Sequence, residues 1–254
     1  MFNFIDNINS LDSKIQNFGQ KKLYRPSDFD MPPKPITEKG VNGCIDENIW
    51  QGDYLDCWLI AGVLSMSYTE AGAEIINDSI KIKSNGDVDI LFPDSENTYT
   101  VSKDEMKNHN VDKYEPGVNY SCGDDDMLAI ELALEEMIEE ENITKYNFED
   151  GGNPYYTYKL YGAEDINITK TKQDIDEAFK YFEDNKDKCS MTINIIDKSV
   201  CGLKVDHSYA LKSIDKNGTV HIVDPWDTTK DVTANKEDLI NNYKNVSIVY
   251  TDFE

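Results

Sequence analysis

The chain has 254 residues, of which 49 are acidic and 25 basic, for a net charge of −24. That length can bury a full core in one domain or in two small subdomains. The charge argues against nucleic acid as a partner, since phosphate recognition needs clustered Lys and Arg, and it equally disfavours docking on anionic membranes. So much acid reads first as a solvated surface, with cation binding as the alternative. Cysteines at 44, 57, 122, 189 and 201 are odd in number and form no CxxC pair, which fits a reduced protein better than a disulfide scaffold. The first residues carry neither a basic region nor a long apolar run. No signal peptide or membrane span is expected, and the compartment reads as cytoplasmic, or as exported without a visible leader.

Residues 1–40 are polar and end in Met31-Pro32-Pro33-Lys34-Pro35, an extended run that cannot be helical. A wrapping arm is expected there, with a propeptide-like cover as the alternative. From 57 to about 76 small and apolar residues dominate, which predicts one buried helix. Residues 80–83 and 88–92 alternate around Asn85-Gly86, a β-hairpin pattern. His109 falls in a polar stretch read as loop. Residues 124–140 intersperse Met127, Leu128, Ile130, Leu134 and Ile138 with acids, an amphipathic helix whose N-terminal acids suit the helix dipole. Beyond Gly151-Gly152, helices are predicted over 155–161 and 174–185, then strands over 191–196, 206–214, 219–224 and 246–250, with a helix near 236–243.

The segment Gln51-Gly52-Asp53-Tyr54-Leu55-Asp56-Cys57-Trp58 leads straight into the first of these helices. A thiol is nucleophilic when ionised, and a helix start favours the thiolate through unpaired N–H groups and the dipole. Gln51 could aim its amide at an oxygen that turns negative during acyl transfer, or simply bond the loop backbone. The base for such a nucleophile is distant in sequence. His207 lies in one strand and His221 in the next, joined across Asn217-Gly218, a dipeptide that supplies the positive φ angles of a hairpin turn. That hairpin could bring His207 near Asp224, without fixing the register. His221 reads as an ordinary strand residue, and Asp224 has the alternative of capping the turn before Pro225.

These residues resemble the calpain-type cysteine protease core, a distant relative of papain. The family carries a Gln-Gly-x-Leu-Gly-Asp-Cys-Trp-Leu motif, then Gly-His-Ala-Tyr, then Asn-Pro-Trp-Gly. Here they stand as Gln51 to Leu59, Asp206-His207-Ser208-Tyr209 and Asp224-Pro225-Trp226-Asp227. Tyr24-Arg25-Pro26-Ser27-Asp28-Phe29 and Gly151-Gly152-Asn153-Pro154 also look familial. The resemblance implies an α+β, papain-like two-lobed fold: an arm at 1–40, a helical lobe at 41–162 carrying Cys57, and a β-rich lobe at 163–254 carrying His207 and Asp224, with the active site between the lobes. It implies a monomeric endopeptidase acting on protein or peptide, with Cys57 as nucleophile, His207 as base, Asp224 as orienter and Gln51 in the oxyanion hole. Trp58 and Trp226 support the site.

Four departures bear on that reading. Leu55 replaces a glycine and could narrow or close the substrate cleft. Asp224 replaces an asparagine, which keeps the acceptor and adds a charge that stabilises imidazolium. Asp206 and Asp227 replace glycines, and they would raise the histidine pKa if they point inward. The resemblance also implies a calcium site at Val41, Gly43, Asn48 and Glu131. Asn48 is neutral where the family has a carboxylate, so affinity should fall and calcium independence is favoured, with no cofactor required. The competing functions are an amidase or transglutaminase-like acyl transferase, and an inactive relative that binds peptide or protein.

Overall fold

The computed structural model describes residues 25, 34–35, 40–109, 113–114, 117–141, 143, 148–149 and 151–253. The chain is mixed α+β with antiparallel sheets. Strand β1 (Lys34–Pro35) pairs with β5 (Lys113–Tyr114), so these two arm residues are extended; most of the arm lies outside the described residues. Helices α1 (Cys57–Ser67) and α2 (Glu70–Ser79) lead into a three-stranded sheet of β2 (Ile80–Ile82), β3 (Val88–Ile90) and β4 (Tyr99–Val101). Helices α3 (Lys103–His109), α4 (Asp125–Glu140) and α5 (Pro154–Leu160) follow. The remainder is a six-stranded sheet ordered β10-β9-β8-β7-β11-β6, built from β6 (Asn167–Ile168), β7 (Cys189–Ile195), β8 (His207–Ile214), β9 (Thr219–Val223), β10 (Asp231–Asn235) and β11 (Val246–Asp252). Helices α6 (Lys172–Asn185) and α7 (Lys236–Asn241) belong to the same half. Among the described residues no helix is long and apolar enough to cross a membrane.

Side-chain alternation along the large sheet explains how it carries helices on both faces. Ala210 and Val249 point into the core built by α1, α4 and α5, while their neighbours Tyr209, Leu211 and Ile248 point into a second core with Ile175, Phe179 and Phe182 of α6. Strand β7 lies between β8 and β11 and is buried along its whole length. Helix α1, which follows the cysteine motif, is buried at every position from Trp58 to Met66, as its apolar composition demands, and packs on β7, β8 and α5.

Several expected boundaries shift. The helix read over 57–76 is two helices, because Thr69 is extended (φ −114°, ψ 148°) and its hydroxyl accepts the Gly72 N–H to cap α2. His109 closes a helical turn and sets its ring edge-on to Tyr120, 4.5 Å between centroids, instead of lying in an unpartnered loop. Strands β4, β6 and β10 had no counterpart among the expected elements. The hairpin at Asn217-Gly218 forms, with Gly218 at φ 83°, and a bulge between Leu211 and Ser213 sets the register Ala210↔Val223.

Close approach of α1 to α5 depends on Gly62. A Cβ there would sit 2.6 Å from the Thr157 Cβ and Cγ2, and Thr157 in turn donates its hydroxyl to the Trp58 carbonyl at 3.1 Å. Gly62→Ala should therefore cost about 1–3 kcal/mol by overpacking. A denaturant titration checks this: the midpoint should fall while the slope stays constant.

Candidate active site

Cys57 is the first residue of α1, and the residue before it does not cap the helix in the usual way. Asp56 occupies the N-cap position with no side-chain bond to the first turn, and the Cys57 N–H, at the start of the helix, has no intrahelical acceptor. The sulfur meets β8. His207 and the Ser208 backbone N–H act on it from that strand, while the Ser208 hydroxyl donates to Asn194 Oδ1 at 2.7 Å. Burial alone would raise the Cys57 pKa, but the His207 charge and these hydrogen bonds outweigh it and bring the thiol below its ordinary value.

The base is held from its other side. His207 Nε2 lies 2.7 Å from Asp224 Oδ1, leaving Nδ1 for the sulfur. The imidazole is 4% exposed and packed between Tyr209, 4.7 Å away edge-on, and Trp226, 4.9 Å away and tilted. Burial lowers a histidine pKa, yet the charges of Asp224 and Cys57 prevail and raise it to about 9. The largest charges acting on His207 are thus those of Asp224 and Cys57. Asp227 turns to the Thr229 hydroxyl (2.6 Å) and Lys230 (2.8 Å). Asp206 has φ 52°, the left-handed region, which explains why the related motif uses glycine there.

Gln51 is buried and its backbone N–H donates to the Pro225 carbonyl at 2.9 Å. Its side-chain Nε2 donates one hydrogen to the Tyr54 carbonyl at 2.7 Å, so the loop-backbone bond is made, and the amide retains a second hydrogen. Tyr54 is wedged between Tyr120 and Phe148, with ring centroids 5.0 and 5.1 Å away. Leu55 is buried and its N–H donates to the Phe148 carbonyl at 2.6 Å; its φ is not positive, so replacing glycine brings no backbone strain. Trp58 supports the site through packing: a Cβ on Gly152 would lie 2.6–2.7 Å from the indole, so the Gly151-Gly152 stretch must lie flat against that ring.

Beneath the cysteine lies a feature that single motifs do not announce. Asp56 and Glu131 are both fully buried, and neither Asp56 oxygen has a donor among the protein groups. Glu131 accepts the Ser121 N–H at 3.1 Å and the Ser121 hydroxyl. Burial first, then the Glu131 charge, raises the Asp56 pKa well above the ordinary value, and burial raises that of Glu131 too, so the pair favours keeping a proton. The four residues of the implied calcium site each make contacts within the protein. The Gly43 carbonyl accepts from Asn77 at 3.2 Å, the Asn48 amide reaches the Gly123 carbonyl at 3.5 Å, Glu131 serves Ser121 and Asp56, and Val41 packs against the core. Among the described residues no group of three or more His, Cys, Asp or Glu side chains is set to hold a metal ion, and no step below runs through a cation.

No protein-family model matches the chain, and no curated protein matches it. Residues that the motifs did not single out include Ser208, Asp56 and Lys204, whose ammonium lies 2.7 Å from Asp224 Oδ2. The one sequence signal for Lys204 was the charge of Asp224, which needs a partner when buried.

Two pH dependences follow from these carboxyls. Burial would raise the Asp224 pKa, but His207 and Lys204 hold it well below the usual range. Its stabilising contribution is thus present above the unfolded value, about 4, and is lost as the pH falls below it. Thermal denaturation of Asp224→Asn should lose stability less steeply than the native chain between about pH 4.5 and pH 3. Asp56 has the opposite sign, because its raised pKa makes the folded state hold a proton that the unfolded chain releases. Stability falls as pH rises above the ordinary aspartate value. Asp56→Asn should gain stability relative to the native chain, progressively from about pH 5 to pH 8, and equal slopes would contradict the proton assignment.

Proposed function

We propose that the protein is a calpain-like cysteine endopeptidase with a papain-like arrangement, in which the helical half (41–162) presents Cys57 and the β-rich half (163–254) presents His207 and Asp224 across a cleft. The single observation that carries this reading is the buried His207 ring, bonded through Nε2 to Asp224 at 2.7 Å while its other side meets the Cys57 thiol at a helix start. The order of three motifs along the chain, resembling the calpain-type core, adds weight.

The chemistry follows from these positions. His207 holds the thiol proton, and the Cys57 thiolate attacks the carbonyl carbon of a peptide bond. Negative charge moves to the carbonyl oxygen, where the Cys57 N–H and the second Gln51 amide hydrogen are its donors. His207 gives its proton to the departing amine as the C–N bond breaks, leaving a thioester. Neutral His207 then takes a proton from water, the resulting hydroxide equivalent attacks the thioester, and collapse returns the acid product and the thiolate–imidazolium pair. Asp224 fixes the tautomer throughout, and Trp226 keeps water from its bond to His207.

Incubation with an unstructured protein, with fragments read by mass spectrometry, tests the reading. Internal cleavages should appear under reducing conditions and fall by at least about a thousandfold in Cys57→Ala. Addition of a primary amine separates hydrolysis from acyl transfer: amide products in place of acids would make the protein a transferase. An intact substrate in every condition would leave only a binding role.

A further inference from the structure

An aspartate in place of the asparagine implied by the resemblance brings an extra negative charge to a site that already holds a charged pair. The two oxygens of the Asp224 carboxylate serve three partners. Oδ1 accepts from His207 Nε2 at 2.7 Å and from the Trp226 N–H at 2.9 Å, while Oδ2 accepts from Lys204 Nζ at 2.7 Å. The Lys204 ammonium also sits 3.8 Å from the centroid of the Trp226 ring, and the Lys204 backbone N–H donates to the Tyr209 hydroxyl at 2.7 Å. An isolated ion pair on a surface holds a lysine loosely and is worth about 0–1 kcal/mol. Here a carboxylate, an indole face and a backbone tether converge on one lysine, beside a carboxylate whose side chain is only 11% exposed.

We propose that Lys204 is a positioning residue of the cysteine site: by neutralising Asp224 through the oxygen that faces away from His207, it sets the pH range over which the thiolate–imidazolium pair persists. The proposal deepens the protease reading and rests on its Cys57–His207 pair, whichever acyl group is transferred. The groups facing that pair are Asp224 at the end of β9, Lys204 from the segment before β8, Tyr209 on the same strand as His207, and Asp56 beside Cys57 with Glu131 next to it. Of these carboxyls, Asp224 is the one that Lys204 contacts directly, at 2.7 Å. Removing a positive charge makes each nearby proton harder to lose. Both macroscopic pKa values of the pair should therefore rise, that of the imidazolium more, because it shares Asp224 directly.

The test uses the full chain with two readouts, the ring-proton titration of His207 by NMR and the rate of Cys57 alkylation by iodoacetamide against pH. Lys204→Met should raise the imidazolium midpoint by roughly half to one pH unit, with a smaller upward shift of the alkylation limb, given the partial exposure of the lysine. Lys204→Arg should restore both midpoints, whereas a purely structural role would change rates or stability and leave the midpoints in place. Unmoved midpoints in a folded Lys204→Met chain, or an Arg variant that titrates like Met, would overturn the proposal. Should Met disturb the fold, Lys204→Gln and the Arg variant carry the comparison. A native chain whose Cys57 titrates like a free thiol would instead sink the protease reading itself.

Discussion

The site depends on a backbone clasp between two segments far apart in the chain. Gln51 N–H donates to the Pro225 carbonyl at 2.9 Å, Thr228 N–H donates to the Ile49 carbonyl at 3.1 Å, and the Thr228 hydroxyl accepts the Ile49 N–H at 2.8 Å. These bonds join the loop that leads into α1 to the turn that follows β9. Each contributes only about 1 kcal/mol net, but leaving any of these buried groups unpaired would cost more. Their larger effect is geometric. They place the end of β9, and with it Asp224 and His207, against the start of α1. The same loop is gripped from behind by the N-terminus of α4, where Asp126 accepts the Asn42 and Gly43 N–H groups and Asp124 accepts the Asp46 N–H.

A chain this acidic must bury some of its carboxylates, and it does so in three physically different ways around one site. Asp126 is met by backbone amides, a neutral solution that leaves the charge in place. Asp56 and Glu131 share a proton, which removes one charge instead of compensating it. Asp224 keeps its charge between an imidazolium and an ammonium. Only the third arrangement holds charge next to the nucleophile, and only there does charge favour the thiolate–imidazolium form. The raised Asp56 pKa is consistent with this, since a second full negative charge beside Cys57 would oppose the thiolate.

Much of this was legible from residues alone, for reasons that can be stated. Asn217-Gly218 marks a turn because φ 83° at Gly218 suits few other residues, and the hairpin follows from it. Helix α4 shows in its apolar spacing, and its N-cap Asp124 accepts the Met127 N–H at 2.8 Å as such a residue should. Cys57, His207 and Asp224 stood out through their motifs, and the structure brings them together. The break at Tyr68–Thr69 was hidden because a threonine can sit inside a helix as well as cap one. Strand β10 was hidden because Asp231–Asn235 is a polar edge strand with Ala234 its buried residue, which leaves little period-two signal. Lys204, Ser208 and the Asp56–Glu131 pair were illegible for a different reason: their roles exist only across elements, in contacts that no local spacing encodes.

The central claim is that Cys57 ionises below the ordinary thiol pKa because a buried, charged His207 lies against it. Ultraviolet difference absorbance of the thiolate, recorded for the native chain minus Cys57→Ala across pH 4 to 9, measures that species without a substrate or a labelling reagent. The account predicts a thiolate signal already developed by about pH 6 and absent from His207→Ala at that pH. A signal that appears only above about pH 8, and equally in both chains, would contradict it.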